Sequence, residues 1–309
     1  MPVSLQALSD FFKNIPSVPV QKLESELLNE KGIELYVRRE DLLHPEVSGN
    51  KCRKLKYNLL AAAEQNFDTL LTFGGAFSNH IAAVAAAGKL FGFKTIGLIR
   101  GEEHFPLNPT LQKATENGIE LHYLDREAYR RKNAMEFQKK LRKQFGEVYI
   151  IPEGGTNALA LKGCTEIIAE IQQNFDVLCC SAGTGGTAAG LLCGLNNEKS
   201  MLVFSALKGD FLKDEIEILT QLCGGKTYRN WTLQTDYHFG GYAKTKPELF
   251  AFMQDFELQF QIPLEPVYTG KMFFGLFDLI RKNHFPAGTK ILAVHTGGLQ
   301  GNAGFKQEF

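Results

Sequence analysis

The chain has 309 residues, of which 44% are hydrophobic, so it can bury the core of one large or two ordinary domains. Its 34 basic and 34 acidic residues balance, which gives no reason to expect a nucleic acid or an anionic membrane as partner and favours a small molecule. No apolar run approaches about 18 residues, and the N-terminal residues lack a small-residue cleavage site. We therefore expect a cytoplasmic protein.

The cysteines are scattered, without a CxxC pair and without a histidine spacing typical of zinc, so no metal site is predicted. We expect all of them to be free thiols in a reducing compartment. They are Cys52, Cys164, Cys179, Cys180, Cys193 and Cys223.

Strand and helix patterns alternate along the first half of the chain. Residues 33–39 alternate in polarity as a strand does, and a helix is predicted from Lys51 to Gln65. The next predicted strands are 69–73, 94–99, 119–124 and 148–151, separated by helices at 81–90, 109–117 and 127–145. This alternation predicts a parallel sheet with crossover helices.

The second half repeats the alternation with different content. Its predicted elements are a helix at 158–173, strands at 177–180 and 201–206, helices at 211–223, 248–260 and 272–283, and a strand at 290–295. Residues 224–247, rich in Gly, Thr and Tyr, are irregular. We predict an α/β fold of two open twisted-sheet domains that share one cleft, with ligands at the carboxyl ends of the parallel strands.

Lys51 is placed in the first turn of its helix, directly after the turn residues 48–50. That helix end already carries a partial positive charge, and Arg53, Lys54 and Lys56 crowd it further. Crowding favours the neutral amine, a nucleophile that can form a Schiff base, and the same cluster would attract a phosphate. The alternative is a basic, solvated helix face.

A glycine-rich loop between a predicted strand and a helix has the form of an anion cradle, with free backbone N–H groups and two threonine hydroxyls. It consists of Gly183, Thr184, Gly185, Gly186 and Thr187. A tight turn without a ligand is the plainer alternative. With Ala188 the loop also satisfies a loose GxGxxG/A pattern, so a dinucleotide-dependent oxidoreductase stays open, although the strand at 201–206 contains no acid for a ribose.

Two further loops follow predicted strands. In the segment 74–80, glycines permit close approach while Ser78 and Asn79 offer donors to a carboxylate or phenolate oxygen, although it could equally be a capped helix start. The segment 295–298 has the same form, and its His295 alone is more typical of a hydrogen-bonded structural histidine. Three such loops and a reactive lysine suit a ligand with a phosphate, a carbonyl and a companion carboxylate, which is the inventory of pyridoxal phosphate with an amino acid.

The chain resembles the pyridoxal-phosphate enzymes of the tryptophan synthase β-like fold (fold type II), and within them the family of 1-aminocyclopropane-1-carboxylate (ACC) deaminase and D-cysteine desulfhydrase. Seven motifs carry the resemblance in the family's order: RREDL at 38–42, SGNKxRKL at 48–55, GGAFSNH at 74–80, EGGTN at 153–157, AGTGGT at 182–187, PVYTGK at 266–271 and HTGG at 295–298. The resemblance implies a larger cofactor-binding domain from residues 1–50 and 158–309, a smaller α/β domain from 51–157, and a homodimer.

The resemblance also implies the roles of single residues. Lys51 would carry the cofactor and move protons at the substrate α-carbon, and Asn79 would bind the cofactor's ring oxygen. Lys54 and the loop 183–187 would hold the phosphate, and Thr296 would meet the pyridine nitrogen.

On the substrate side, Ser78, Asn79 and His80 would grip the carboxylate, with Thr269 nearby. Tyr268 would stand over the ring, so that Lys51, Ser78 and Tyr268 are the implied catalytic residues.

Thr269 and Thr296 resemble the desulfhydrase branch more than the deaminase branch. The implied reaction is β-elimination from D-cysteine to pyruvate, sulfide and ammonia, and the alternative is deamination of ACC to 2-oxobutanoate and ammonia. Phe77 departs from the family's pattern beside the expected substrate cup. A protein that holds the cofactor without turnover is the non-catalytic alternative.

Overall fold

The strands of the computed structural model, which describes residues 3–305, are short apolar runs rich in β-branched residues. They are β1 (Val20–Leu23), β2 (Glu34–Arg38), β3 (Thr69–Gly74), β4 (Lys94–Arg100), β5 (Ile119–Leu124), β6 (Tyr149–Ile151), β7 (Val177–Ala182), β8 (Ser200–Ser205), β9 (Trp231–Gln234) and β10 (Lys290–Val294).

The α-helices connect these strands. They are α1 (Leu5–Lys13), α2 (Glu26–Lys31), α3 (Asn50–Glu64), α4 (Asn79–Phe91), α5 (Pro109–Glu116), α6 (Arg126–Arg130), α7 (Met135–Phe145), α8 (Ala158–Ala169), α9 (Gly186–Leu195), α10 (Leu212–Thr220), α11 (Pro247–Phe260) and α12 (Thr269–Arg281). Between residues 3 and 305 no helix has the length and apolar character needed to cross a membrane.

The strands form two sheets. The larger has the order β1-β2-β10-β7-β8-β9, in which β1 pairs antiparallel with β2 and the other pairs are parallel. The smaller has the order β5-β4-β3-β6, and its pairs are all parallel. The predicted α/β class with parallel sheets is therefore confirmed, and the loops that follow β3, β7 and β10 lie at carboxyl ends of parallel strands.

Helix α12 packs on the larger sheet and buries most of its residues. Its apolar residues recur at helical spacing and pack against the phenylalanines of α11, for example Phe273 against Phe256 with ring centroids 4.8 Å apart. This core fixes the direction of α12, whose first residue follows Tyr268 directly.

Several elements differ from the prediction. The helix expected over 127–145 is divided into α6 and α7, because Asp125 caps one short helix and the chain turns before Met135. The short elements α1, α2 and β1 lie in the first 31 residues, and β9 lies in the region expected to be irregular. These segments owe their conformation to neighbours in space, as when β9 adds an edge to β8.

The expectation that all cysteines are free thiols is wrong for two of them. Cys193, near the end of α9, forms a disulfide with Cys223 just beyond α10. The two positions are 30 residues apart with Cα atoms separated by 6.2 Å, so no local spacing could reveal the pair. The free thiols are Cys52, Cys164, Cys179 and Cys180, all buried.

Candidate active site

A cavity of about 290 Å³ lies where the loops after β3, β7 and β10 meet the N-termini of α3, α4 and α9. Its walls bring together every site residue predicted from the sequence except Thr269. The predicted residues that line it are Lys51, Lys54, Ser78, Asn79, His80, Gly183, Thr184, Gly185, Gly186, Thr187, Tyr268 and Thr296.

The start of α3 is fixed against the end of β10. A Cβ atom on Gly49 (φ +60°) would lie 2.0 Å from the carbonyl oxygen of Thr296, so only glycine fits this contact. The Asn50 N–H donates to the same carbonyl oxygen over 3.1 Å. These contacts hold Lys51, the second residue of α3, at the cavity wall.

Lys51 has a pKa lowered to about 8, chiefly because burial disfavours the ammonium form. The expected cause was crowding by other cations, but Arg53 pairs with Glu40 and Glu170, and Lys56 pairs with Glu166. The basic, solvated helix face is therefore excluded for Arg53 and Lys54, which are buried. The Lys51 ammonium donates to Asn50 Oδ1 over 3.2 Å.

Lys54 is a buried cation directed at the glycine-rich loop before α9. Its Nζ donates to Thr156 Oγ1 over 2.9 Å, and Thr156 Oγ1 lies 2.8 Å from Thr184 Oγ1. A Cβ atom on Gly186 would be 2.9 Å from this Nζ, so the absent side chain leaves the ammonium facing the N-terminus of α9. Burial, reinforced by Lys51, lowers the Lys54 pKa to about 7.

These groups fit the phosphate of a bound cofactor. Among residues 3–305 no carboxylate pairs with Lys54, and an anion placed among its Nζ, the two threonine hydroxyls and the N–H groups of α9 would compensate its charge. Thr156 was missed from the sequence as a site residue, although it belongs to the motif at 153–157.

Ser78 and Asn79 form the start of α4. The Ser78 hydroxyl accepts the Ile81 N–H as a helix cap, and Asn79 Oδ1 accepts from Gln300 Nε2 over 3.1 Å. A Cβ atom on Gly298 would lie 2.5 Å from Asn79 Nδ2, so the third glycine loop packs directly on this amide. Gln300, which sequence reasoning missed, lines the cavity and orients Asn79.

His80 is buried and makes a hydrogen bond that fixes its tautomer. Thr72 Oγ1 donates its single proton to the Ile151 carbonyl oxygen over 2.8 Å, so the His80 Nε2–H must donate to Thr72 Oγ1 over 2.8 Å. The Nδ1 atom is then an unprotonated acceptor, and it has no partner among the described residues.

The pKa of His80 is lowered well below 6.5, first by burial and then by Lys51 and Lys54, so the ring is neutral. A neutral His80 in this tautomer offers an acceptor where a carboxylate needs a donor. The geometry therefore differs from the expectation that His80 grips the carboxylate.

Two tyrosines form one wall of the cavity. The Tyr268 ring covers Gly183, where a Cβ atom would lie 2.8 Å from the ring. Tyr242, which belongs to the segment 224–247 expected to be irregular, lines the cavity with its ring centroid 6.2 Å from that of Tyr268. Their hydroxyls are hydrogen-bonded, and burial raises the pKa of both, that of Tyr268 well above 10.

Thr296 and Thr269 are placed differently. Thr296 Oγ1 lies at the cavity wall, 3.3 Å from Ser181 Oγ. Thr269 is outside the cavity: its Oγ1 accepts the Glu265 N–H over 3.0 Å, and its own N–H donates to Glu265 Oε1 over 2.6 Å. The expected contact of Thr269 with substrate is corrected accordingly, because Glu265 occupies its polar groups.

Phe77 also lies outside the cavity. Its side chain is 42% exposed and approaches Gly304, whose added Cβ would be 3.1 Å from the ring. The departure at this position therefore does not narrow the substrate cup.

A lysine of lowered pKa, a glycine-rich anion cradle and a second helix N-terminus in one cleft define a pyridoxal-phosphate-dependent enzyme. The family model described as "Pyridoxal-phosphate dependent enzyme" matches residues 8–297. The chain belongs to this family and, within it, to the ACC deaminase and D-cysteine desulfhydrase group. Pyridoxal phosphate is thus the cofactor, which removes the support for a dinucleotide.

Relatives of the chain carry names from both branches of that group. A putative 1-aminocyclopropane-1-carboxylate deaminase of Pyrococcus horikoshii is 35% identical over 297 residues, covering 92% of this chain and 90% of the relative. The bifunctional D-cysteine desulfhydrase/1-aminocyclopropane-1-carboxylate deaminase, mitochondrial, of Arabidopsis thaliana is 31% identical over 314 residues, covering 93% and 75%. The solved structure of an ACC deaminase homologue aligns with a TM-score of 0.84 at 31% identity, covering 99% and 94%.

Proposed function

We propose that this chain is a pyridoxal-phosphate-dependent lyase that eliminates the β-thiol of D-cysteine and yields pyruvate, sulfide and ammonia. The observation that carries the proposal is the pair of neutral hydroxyls of Thr296 and Ser181 at the cavity wall, which we assign to the ring nitrogen. A neutral partner leaves that nitrogen unprotonated, which suits elimination of a good leaving group better than the opening of the ACC ring.

The residues of the chain divide the work of the reaction. When bound, pyridoxal phosphate supplies an electron sink for negative charge at the substrate α-carbon. Lys54 and the loop 183–187 hold the phosphate, while Ser78 and Asn79 orient the substrate carboxylate. Lys51 Nζ, with its lowered pKa, takes the α-proton.

The tyrosine pair acts at the departing group. Tyr268 keeps its proton because burial raises its pKa, so its hydroxyl can donate a hydrogen bond to the sulfur, which takes the electron pair as the carbon–sulfur bond breaks. Tyr242 completes the hydrogen bond to Tyr268 and lines the cavity beside it.

The test is 2-oxoacid release from the cofactor-loaded protein given D-cysteine, L-cysteine, β-chloro-D-alanine and ACC in parallel. Lys51→Ala is the blank, and Lys56→Ala is the matched control, because Lys56 lies on the same helix but pairs with Glu166. We expect pyruvate from both D-amino acids, none in the blank, and little 2-oxobutanoate from ACC. A preference for ACC would favour the deaminase alternative, and silence with all four compounds would favour the non-catalytic one.

Thr296→Val separates the ring-nitrogen assignment from the rest of the proposal. It removes a hydroxyl while keeping the side-chain volume, so we expect cofactor to remain bound and the kcat for D-cysteine to fall about tenfold. An unchanged kcat would refute this role of Thr296.

Three further proposals, on domains, assembly and location, accompany this function. We propose that the two sheets correspond to the domains 1–50 with 158–309 and 51–157, that the active form is a homodimer, and that it works in the cytoplasm. Sedimentation of the cofactor-loaded protein tests the homodimer.

A further inference from the structure

Residues 237–243 carry Tyr242 into the cavity in an unusual backbone conformation. Phe239 and Ala243 have φ values of +54° and +53°, which residues other than glycine rarely adopt. Gly240 and Gly241 have φ values of +102° and +121°. Such a conformation persists only where surrounding contacts impose it. The contacts that impose this conformation on residues 237–243 come from one face of α12.

Three side chains of α12 hold this segment at positions 271, 274 and 278, a spacing that places them on one helix face. The Phe274 ring meets the Phe239 ring edge-on with centroids 5.0 Å apart. The Asp278 carboxylate accepts from the Tyr237 hydroxyl over 2.7 Å.

Lys271 makes the most specific of these contacts. Its side chain is 1% exposed, and its Nζ donates to the carbonyl oxygens of His238 over 2.9 Å and Gly241 over 2.8 Å. The His238 carbonyl also accepts the Gly241 N–H, and the Gly241 carbonyl accepts the Lys244 N–H, so the ammonium bridges two consecutive turns.

Within residues 3–305 no carboxylate lies at salt-bridge distance from Lys271, so these carbonyl dipoles are the nearest compensation of its charge, with Glu265 acting from farther away. A buried ammonium is costly, and burial accordingly lowers the Lys271 pKa to about 8. An apolar side chain of similar length would fill the same space without that cost. The presence of a lysine at this position therefore indicates that its two hydrogen bonds to carbonyl oxygens serve a function.

We propose that Lys271 is a positioning residue whose ammonium locks the turns at His238 and Gly241 and thereby places the Tyr242 hydroxyl against Tyr268. This inference rests on the proposed function for its effect on turnover, while its effect on the segment is independent of any substrate. Tyr268 precedes the same helix, so α12 fixes both members of the tyrosine pair.

The first arm of the test is a double-mutant cycle with Lys271→Met and Tyr242→Phe on the cofactor-loaded protein. We expect Lys271→Met to lower the kcat for D-cysteine about tenfold with KM within about twofold, and to change kcat less than about twofold when Tyr242→Phe is already present. Effects that multiply would overturn the proposal, because Lys271 would then act by another route.

The second arm measures amide hydrogen exchange by mass spectrometry and needs no turnover. In Lys271→Met we expect the amides of residues 239–243 to exchange about tenfold faster, with the core of α12 unchanged. Lys139→Met is the control, since Lys139 is an exposed lysine of α7 that pairs with Glu136 and is remote from this segment in the chain. Unchanged exchange at 239–243 would refute the proposal that Lys271 locks these turns, even if no amino acid is turned over.

Tyr237→Phe serves if Lys271→Met does not fold. It removes only the hydroxyl that donates to Asp278. We expect a smaller fall in kcat, again absent beside Tyr242→Phe, and a fall of equal size in that background would contradict the proposal.

Discussion

Lys54 shows how a single buried charge can indicate where an anion binds. Its Nζ is held by Thr156 and faces the N-terminus of α9, a region that is itself electropositive. The sequence indicated a basic cluster at this helix, but it could not distinguish Lys51 and Lys54, which face the cavity, from Arg53 and Lys56, which face carboxylates. That distinction depends on partners more than 100 positions away in the chain.

Lys54→Met should stabilise the cofactor-free protein and weaken cofactor binding. The folded pKa of about 7 lies below the value of 10.5 expected for an exposed lysine, so at pH between these values the unfolded chain binds more protons and stability rises with pH. The gain in Tm from Lys54→Met is therefore greatest below pH 7 and shrinks as pH is raised to 8.5. Thermal scans over this range measure the gain in Tm. A gain that is independent of pH would contradict the lowered pKa of Lys54 in the folded protein.

Thr156→Val should weaken cofactor binding about tenfold, because it removes the hydroxyl that orients Lys54 and contacts Thr184. Equilibrium titration with pyridoxal phosphate measures the affinity. Thr165→Val is the control, since the Thr165 hydroxyl donates to the Lys162 carbonyl oxygen within α8. Equal affinity in both variants would remove Thr156 from the cradle.

At the scale of elements, α12 begins with an unusual cap. The buried Glu265 carboxylate accepts the N–H groups of Val267, Tyr268 and Thr269 over 2.6 to 2.8 Å, and burial raises its pKa in spite of these bonds. Its negative charge also complements the positive end of the helix dipole. Glu265 thus determines how the chain enters α12 and where Tyr268 stands.

Glu265→Ala should lower the free energy of unfolding by about 3 kcal/mol, because it leaves three buried N–H groups without their acceptor. Urea denaturation measures this change. Glu248→Ala, in the exposed first turn of α11, should change it by less than about 0.5 kcal/mol. Similar values for the two variants would show that the cap contributes little.

At the scale of the molecule, the strands and their glycine-rich exits could be predicted because alternation and turn chemistry are local. Tyr242 and Gln300, which line the cavity, and Thr156, which holds Lys54, were not predicted as site residues, since they reach the site only through the packing of distant segments. The exclusion of Thr269 from the cavity had the same origin: its neighbour in the sequence faces the cavity, whereas its own hydroxyl faces Glu265.

Helix α9 carries a structural constraint at each of its two ends. The N-terminal end closes the anion cradle at Gly186, and the C-terminal end is tied through Cys193 to Cys223. A closed loop of 30 residues corresponds to about 3 to 4 kcal/mol of stabilisation in the chain-entropy account. We expect that breaking the bond at the far end of this helix also loosens the groups that we propose to hold the phosphate.

Cofactor content and thiol state should therefore vary together in this protein. A preparation kept in strong reductant would lose pyridoxal phosphate on dialysis faster than one kept oxidised, and Cys193→Ser would behave as the reduced form under either condition. Absorbance of the retained cofactor against dialysis time is the measurement, and equal losses would show that the two ends of α9 are independent. The absorbance of the bound cofactor in a sample would then depend on the redox conditions under which the sample was kept.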